Sequence, residues 1–157
     1  MMKRLLLLLG AVSLVGCLDM TSPSGSNPAT ESFASSLGVN ISQMSVTQNG
    51  TYFIDSVVGT GTQITNPQTT TTVNVDYVGY LTDGTVFDAN TNTPFPLGQV
   101  IVGFVDGIVG MKVGGTRLIV IPSDLAYGNT TQTTGKGVTI KPNSTLVFKI
   151  KLNSVTG

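Results

Sequence analysis

The chain has 157 residues, of which 40% are hydrophobic and 10% are charged, with eight basic residues, eight acidic residues and no histidine. This length suits one compact domain with short flanking segments. The scattered charges exclude a basic nucleic-acid-binding surface, and the missing histidine with a single cysteine excludes a Ser-His-Asp site, an internal disulfide and a His/Cys metal cluster.

The first residues have the pattern of an export signal. Lys3 and Arg4 precede an apolar run over residues 5–12, and small residues follow before Cys17. The apolar run is too short to cross a bilayer as a permanent helix. We therefore predict that residues 1–16 form a signal peptide, whose removal leaves a chain with a net charge of about −2.

The tetrad Leu14-Val15-Gly16-Cys17 resembles a bacterial lipobox, which implies cleavage before Cys17 and a lipid on its sulfur. Cys17 is the only cysteine, so it has no partner for an internal disulfide. Each buried methylene of an acyl chain adds roughly 0.8 kcal/mol of membrane affinity, so a multiply acylated Cys17 should hold the chain on a bilayer. An ordinary signal peptide with an incidental cysteine is the alternative.

The residue after Cys17 is leucine, whereas aspartate is the common inner-membrane retention signal at this position. We expect a lipid-anchored, extracytoplasmic protein of a bacterial cell envelope, at the outer membrane where two membranes are present. Residues 17–43 are rich in Ser, Pro, Gly and Asn, which predicts a flexible tether after the lipidated cysteine. A spacer without a role fits the same composition.

Residues 44–157 are predicted to form one domain. Residues 51–58 alternate well enough for a strand, and residues 72–81 place Val73, Val75 and Tyr77 on one face of a second strand. Asp83-Gly84 favours a tight hairpin turn into a third strand that begins with residues 85–87.

A helix is predicted next, followed by two more strands. Phe104, Ile108 and Met111 recur at helical spacing within residues 103–111, a segment that needs packing to be stable. Residues 117–121 and 144–152 have strong strand patterns. This order predicts an α+β fold in which an antiparallel sheet wraps around one short helix.

Three segments between Val75 and Gly128 carry a family resemblance. They read VDYVGYLTDGTVFDAN, FPLGQVIVGFVDGIVGMKVGG and TRLIVIPSDLAYG, in that order. Together they resemble the FKBP-type peptidyl-prolyl cis-trans isomerases, over about residues 52–155. The resemblance implies a five- or six-stranded antiparallel sheet curled around one short α-helix, in agreement with the strand and helix patterns.

The resemblance also implies a proline-binding cup. Its catalytic residues would be Tyr77, Phe87, Asp88, Ile101 and Tyr127, and its other substrate-binding residues would be Phe95, Val100, Phe104, Ile140 and Phe148. The Ile101 N–H and the Tyr127 hydroxyl would hold substrate carbonyls, and Asp88 would orient the Tyr77 hydroxyl. Taken singly, most of these residues are also explained by a packed core or a turn. Their joint appearance in order favours the cup.

By this resemblance the chain is an isomerase that assists the folding of exported proteins, without acid–base chemistry, cofactor or metal. Its partners would be proline-containing polypeptides and the lipid bilayer, and we expect a monomer. A non-catalytic module or chaperone that binds proline-containing segments is the second hypothesis, and a purely structural lipoprotein is the third.

Two departures from the family pattern concern specificity. Phe104 stands where the family usually has a tryptophan under the proline ring, and a phenylalanine offers less area and no indole N–H. The segment 128–142 is longer and more polar than the family loop that closes over the substrate. We expect both to affect which substrates are preferred.

Overall fold

The computed structural model describes residues 25–157, and an antiparallel sheet of six strands forms the centre of this part of the chain. The sheet order is β1-β2-β5-β8-β3-β4, and a separate hairpin pairs β6 with β7. The strands are β1 Ser45–Val46, β2 Tyr52–Val57, β3 Thr72–Leu81, β4 Val86–Pro96, β5 Thr116–Ile121, β6 Gln132–Thr133, β7 Thr139–Ile140 and β8 Leu146–Thr156. This is the predicted fold class, and it is confirmed.

One short helix, α1 (Val102–Ile108), lies against the inner face of the sheet. It packs closely on β5 because its glycines have no side chain on that side. A Cβ at Gly103 would lie 2.2 Å from Ile121 Cγ2, and one at Gly107 would lie 3.0 Å from Ile119 Cδ1. Ile108, the last residue of α1, is fully buried, and burying such a side chain contributes roughly 1.5–3 kcal/mol.

Arg117 joins the end of α1 to the sheet. Its guanidinium donates to the carbonyls of Gly107 (2.9 Å) and Val109 (2.8 Å), at the helix C-terminus. It also donates twice to the Asp55 carboxylate, at 2.7 and 2.9 Å, and lies 4.4 Å from the centroid of the Phe53 ring. A guanidinium has the fork of donors that these acceptors require, so Arg117 fixes the position of α1 on the sheet.

The predicted helix and the five predicted strands agree with observed elements except in length, whereas β1 and the β6–β7 hairpin were not predicted. The strand predicted at residues 72–81 has these bounds, and the inward side chains of β8 are buried as the alternation indicated. Helix α1 ends at Ile108, so Met111 lies in the turn that follows it. Strand β4 continues to Pro96 because β3 supplies pairing partners along its length.

The segment before β1 differs from the flexible tether predicted for residues 17–43. In its described part, residues 25–43, it contains three short 3-10 helices, at Pro28–Thr30, Ser35–Leu37 and Ile41–Gln43. The Ala34 N–H donates to the Thr82 carbonyl (2.8 Å), and Thr145 Oγ1 donates to Glu31 Oε1 (2.8 Å). Residues distant in the chain supply these partners, so local composition gave no sign of them.

The predicted signal peptide (residues 1–16) and the lipidation site at Cys17 lie outside the described residues. Within residues 25–157, no helix is long and apolar enough to cross a membrane. In the same part of the chain, no three histidine, cysteine or acidic residues lie close enough together to hold a metal ion.

Candidate active site

An aromatic cup opens between the inner face of the sheet and the start of α1. The cavity has a volume of about 250 Å³. Its lining residues are Tyr77, Phe87, Asp88, Phe95, Gln99, Val100, Ile101, Phe104, Tyr127 and Phe148. The lining therefore consists mainly of ring faces and aliphatic side chains, with a few polar groups at the edge.

The rings of the cup hold one another in place. Phe104 of α1 lies at the base, with its ring centroid 5.7 Å from that of Phe148 and 5.9 Å from that of Phe95. Phe87 meets Phe148 edge to face at 5.4 Å, and Tyr77 lies 5.3 Å from Phe95. Edge-to-face pairs at these distances are favourable and orient the rings, so the shape of the cup is set before a substrate arrives.

A glycine in β3 makes this ring arrangement possible. Gly79 pairs with Asp88 of β4 and with Phe148 of β8. A Cβ at Gly79 would lie 2.6 Å from Phe87 Cζ and 3.0 Å from Phe148 Cε1. Those distances are too short for a side chain, so the space beside Gly79 is filled by the two rings.

Tyr77 and Asp88 form the polar side of the cup. The Tyr77 hydroxyl donates to Asp88 Oδ2 at 2.7 Å, and the Ala89 N–H donates to Asp88 Oδ1 at 2.9 Å. Burial raises the pKa of the Tyr77 phenol, and the hydrogen bond to Asp88 raises it further. Tyr77 is therefore a neutral hydroxyl whose hydrogen bond joins it to Asp88, the pair for which the resemblance implies that Asp88 orients the hydroxyl.

Tyr127 projects from a turn that follows β5. The Ser123 carbonyl accepts the N–H of Ala126 (2.9 Å) and that of Gly128 (2.8 Å), so the two neighbours of Tyr127 are tied to one residue. Burial raises the pKa of the Tyr127 phenol, and the charge of Asp88 adds to this. Within the described residues no hydrogen bond is made by the Tyr127 hydroxyl, which leaves it available at the mouth of the cup.

Ile101 is the residue before α1 and also lines the cup. Its carbonyl accepts the N–H of Phe104 at 3.0 Å, which begins the helix. Among the described residues, its own N–H donates to no backbone carbonyl. Val100 and Ile101 thus line the cavity, and the Ile101 N–H has no described backbone acceptor.

The structure brings together all of the predicted site residues within its range except one. Ile140 is 1% exposed, belongs to β7 and lies in the core rather than in the lining of the cup, because its inward position is filled by packing. Gln99 lines the cup and was missed, although its place beside Val100 in the motif LGQVIVGF was an available sign.

The long segment 128–142 does not close over the cup. It forms the β6–β7 hairpin, in which the Thr134 N–H donates to the Val138 carbonyl at 2.9 Å. No residue of this hairpin lines the cup, whereas Tyr127, just before the segment, does.

A second cavity, of about 420 Å³, is larger but of another kind. It lies beside the β3–β4 turn and is lined by polar and charged groups, among them Glu31, Asp83 and Lys141. It has no aromatic lining, and none of its residues is shared with the cup. Its surface suits water better than an apolar ring.

Residues 64–153 match the family model described as FKBP-type peptidyl-prolyl cis-trans isomerase. The chain belongs to the FKBP-type isomerase family. It is 42% identical to an FK506-binding protein of Neisseria meningitidis serogroup C over 89 residues, which are 53% of this chain and 78% of that protein. It is also 41% identical to FK506-binding protein 4 of Dictyostelium discoideum over 110 residues, 68% of this chain.

The FKBP-type chain spans only 28% of the Dictyostelium protein. Among solved structures, it is similar to a peptidyl-prolyl cis-trans isomerase from Pseudomonas syringae, with a TM-score of 0.63 and 35% sequence identity. That match covers 73% of this chain and 81% of the Pseudomonas chain. The fold and the family therefore agree with the geometry of the cup.

Proposed function

We propose that this FKBP-type chain catalyses cis-trans isomerisation of X-Pro peptide bonds in exported polypeptides, at the bacterial cell envelope. The observation that carries the proposal is the cup itself. It combines a preformed ring of aromatic side chains, the Tyr77–Asp88 pair and a Tyr127 hydroxyl that is free of described partners. Its volume of about 250 Å³ admits a pyrrolidine ring with the adjoining amide.

The reaction requires rotation about a bond with partial double-bond character. The barrier in water is about 18–20 kcal/mol, because rotation breaks the resonance of the amide. The planar amide is the more polar form, so an apolar cup that excludes water favours the twisted form relative to the planar one. The ring faces of Phe104, Phe148 and Phe95 supply that environment.

Hydrogen bonds supply the orientation. We expect the Tyr127 hydroxyl and the Ile101 N–H, which belong to residues that line the cup, to hold the carbonyls that flank the rotating bond, while Tyr77 donates to Asp88. Holding the amide between these groups reduces the entropy that rotation costs in solution. No step transfers a proton, and the mechanism uses neither metal nor cofactor.

An exchange assay tests the activity. The cis and trans proline signals of a short Leu-Pro peptide are followed by NMR exchange spectroscopy, with the full chain purified in mild detergent. Catalysis predicts an exchange rate that rises in proportion to the concentration of the chain. A rate equal to that in buffer, combined with measurable binding of the peptide, would instead favour a non-catalytic module that holds proline-containing segments.

The location is a second part of the proposal. Cys17 would carry the lipid, and seven residues separate it from Gly25, where the described chain begins. Eight residue steps of at most about 3.5 Å each reach about 28 Å, which would keep the cup near the bilayer surface. Cells given radiolabelled palmitate should label the parent chain and not a Cys17→Ser variant, and equal labelling would exclude lipidation at this residue.

A further inference from the structure

A segment outside the family match contacts the turn that carries Tyr127. Residues 25–38, here called the strap, precede the matched region 64–153. The Ser26 N–H donates to Ser123 Oγ at 2.8 Å, and the Ser123 N–H donates to Ser26 Oγ at 2.7 Å. Ser123 is fully buried, so this reciprocal pair satisfies two of its polar groups where water has no access.

Ser123 connects the strap to the site. Its N–H and hydroxyl are bound to Ser26, while its carbonyl accepts the N–H groups on either side of Tyr127, those of Ala126 and Gly128. A Cβ at Gly25 would overlap the Asp124 carboxylate, so the strap backbone also lies close against the residue after Ser123. A shift of the strap would therefore move the turn that holds the Tyr127 hydroxyl.

The strap also lies on the outer face of the sheet, opposite α1. Val120 and Val147 pair across β5 and β8, point away from the inner core and are nevertheless fully buried. The strap contacts the chain around this pair: Ser26 at Ser123, beyond the end of β5, and Glu31 at Thr145, just before β8.

Further along the strap, Leu37 shares a surface groove with Leu118 of β5, and Pro28 is itself buried. Because these contacts lie around the buried valine pair, we expect the strap to cover it, and the burial of apolar area would hold the strap in place without a covalent link.

We propose that Ser26, near the start of the strap, is a positioning residue for Tyr127. It acts through Ser123 and touches no substrate. The Ser26–Ser123 pair sets the distance between the Tyr127 hydroxyl and the aromatic cup, and so the fit of a substrate carbonyl. The predicted change in kcat/KM rests on the proposed isomerase activity. The positioning of the Tyr127 turn by Ser26 is measured by amide hydrogen exchange, which needs no substrate.

The test compares variants of the full chain at two strap contacts. Ser26→Ala removes the acceptor of the Ser123 N–H, and Ser26→Thr keeps a hydroxyl. Glu31→Ala is the matched control, because it removes the strap hydrogen bond to Thr145, at the start of β8 rather than at the Tyr127 turn. The readouts are amide hydrogen exchange at Ala126 and Gly128, kcat/KM for a Leu-Pro peptide, and unfolding by urea.

We expect Ser26→Ala to speed exchange at Ala126 and Gly128 and to lower kcat/KM roughly 5- to 10-fold, since misplacement of a positioning group costs rate out of proportion to stability. Ser26→Thr should restore the parental amide exchange and the parental kcat/KM. Glu31→Ala should leave amide exchange at Ala126 and Gly128 and kcat/KM unchanged, even where it lowers stability as much as Ser26→Ala does. Unchanged exchange in Ser26→Ala, or equal effects of Ser26→Ala and Glu31→Ala, would overturn the proposal. An inactive parent chain would refute the isomerase activity instead, and the exchange measurement would still decide the role of Ser26.

Discussion

Two tyrosines of the cup are expected to differ in what their hydroxyls do, and the comparison of Tyr77→Phe with Tyr127→Phe is a direct test. The Tyr77 hydroxyl donates to Asp88 at 2.7 Å within the protein. The Tyr127 hydroxyl makes no hydrogen bond within residues 25–157 and faces the cavity. We therefore expect the Tyr77 hydroxyl to stabilise the folded protein and the Tyr127 hydroxyl to bind a substrate.

The magnitudes follow from these contacts. A hydrogen bond to a charged group contributes about 1.5–3 kcal/mol, and the partial exposure of Asp88 places Tyr77→Phe near the lower value, at about 1.5 kcal/mol of lost stability. Tyr127→Phe removes no described partner, so its free energy of unfolding should change by less than about 0.5 kcal/mol. A lost substrate hydrogen bond of about 1 kcal/mol corresponds to about a 5-fold lower kcat/KM.

Urea unfolding and the NMR exchange assay measure the two quantities on the same preparations. The reasoning predicts Tyr77→Phe to be the less stable variant and Tyr127→Phe to keep its stability while losing activity. It would be refuted by a Tyr127→Phe variant as active as the parent, or by one destabilised as much as Tyr77→Phe.

Three further predictions concern the contacts of Arg117 and Gly79 and the dependence of kcat/KM on pH. Arg117→Met should cost about 3–5 kcal/mol of stability in urea unfolding, since it leaves the Gly107 carbonyl and the Asp55 carboxylate without their donors; a loss below about 1 kcal/mol would show that Arg117 does not anchor α1. Gly79→Ala should cost about 1–3 kcal/mol by overpacking and should lower kcat/KM, and a variant with unchanged stability would contradict the tight ring contact. Because the pKa values of Tyr77 and Tyr127 are raised above their ordinary 10.0, both hydroxyls stay protonated donors and kcat/KM should be flat from about pH 6 to about pH 9; a loss of activity within that range would contradict it.

Local alternation was enough to predict the central strands. Every second residue is buried from Val73 to Gly79 in β3 and from Leu146 to Leu152 in β8, so the sequence of each strand alone shows the pattern. The extension of β4 to Pro96 was not predictable in this way, because residues 88–94 are polar or small and are held in the sheet by pairing with β3. Pairing between distant residues leaves no local periodicity.

The strap shows the same limit more sharply. Residues 25–38 have the composition of a linker, and their contacts to Ser123, Thr145 and Thr82 join residues about 50 to 115 positions apart. Composition reports the tendency of a segment to fold alone, whereas here the partners come from the rest of the chain. Reading such a segment as a tether follows from its composition and is incomplete without the tertiary structure.

Most of the candidate site was predictable because its residues lie within short motifs whose order is informative. Ile140 was assigned to the cup by its place near the end of the 128–142 segment, and the structure uses its side chain in the core instead. An inward aliphatic residue beside a pocket has two possible neighbours, the core and the cavity. Only the course of the β6–β7 hairpin decides between them.

The central claim is that the aromatic cup accelerates rotation about an X-Pro bond, and NMR exchange spectroscopy on a Leu-Pro peptide measures that rotation without a coupling enzyme. The account predicts that the cis-trans exchange rate rises linearly with the concentration of the full chain and falls about 5-fold for Tyr127→Phe at equal concentration. An exchange rate that stays at its buffer value with the folded parent chain present would contradict it.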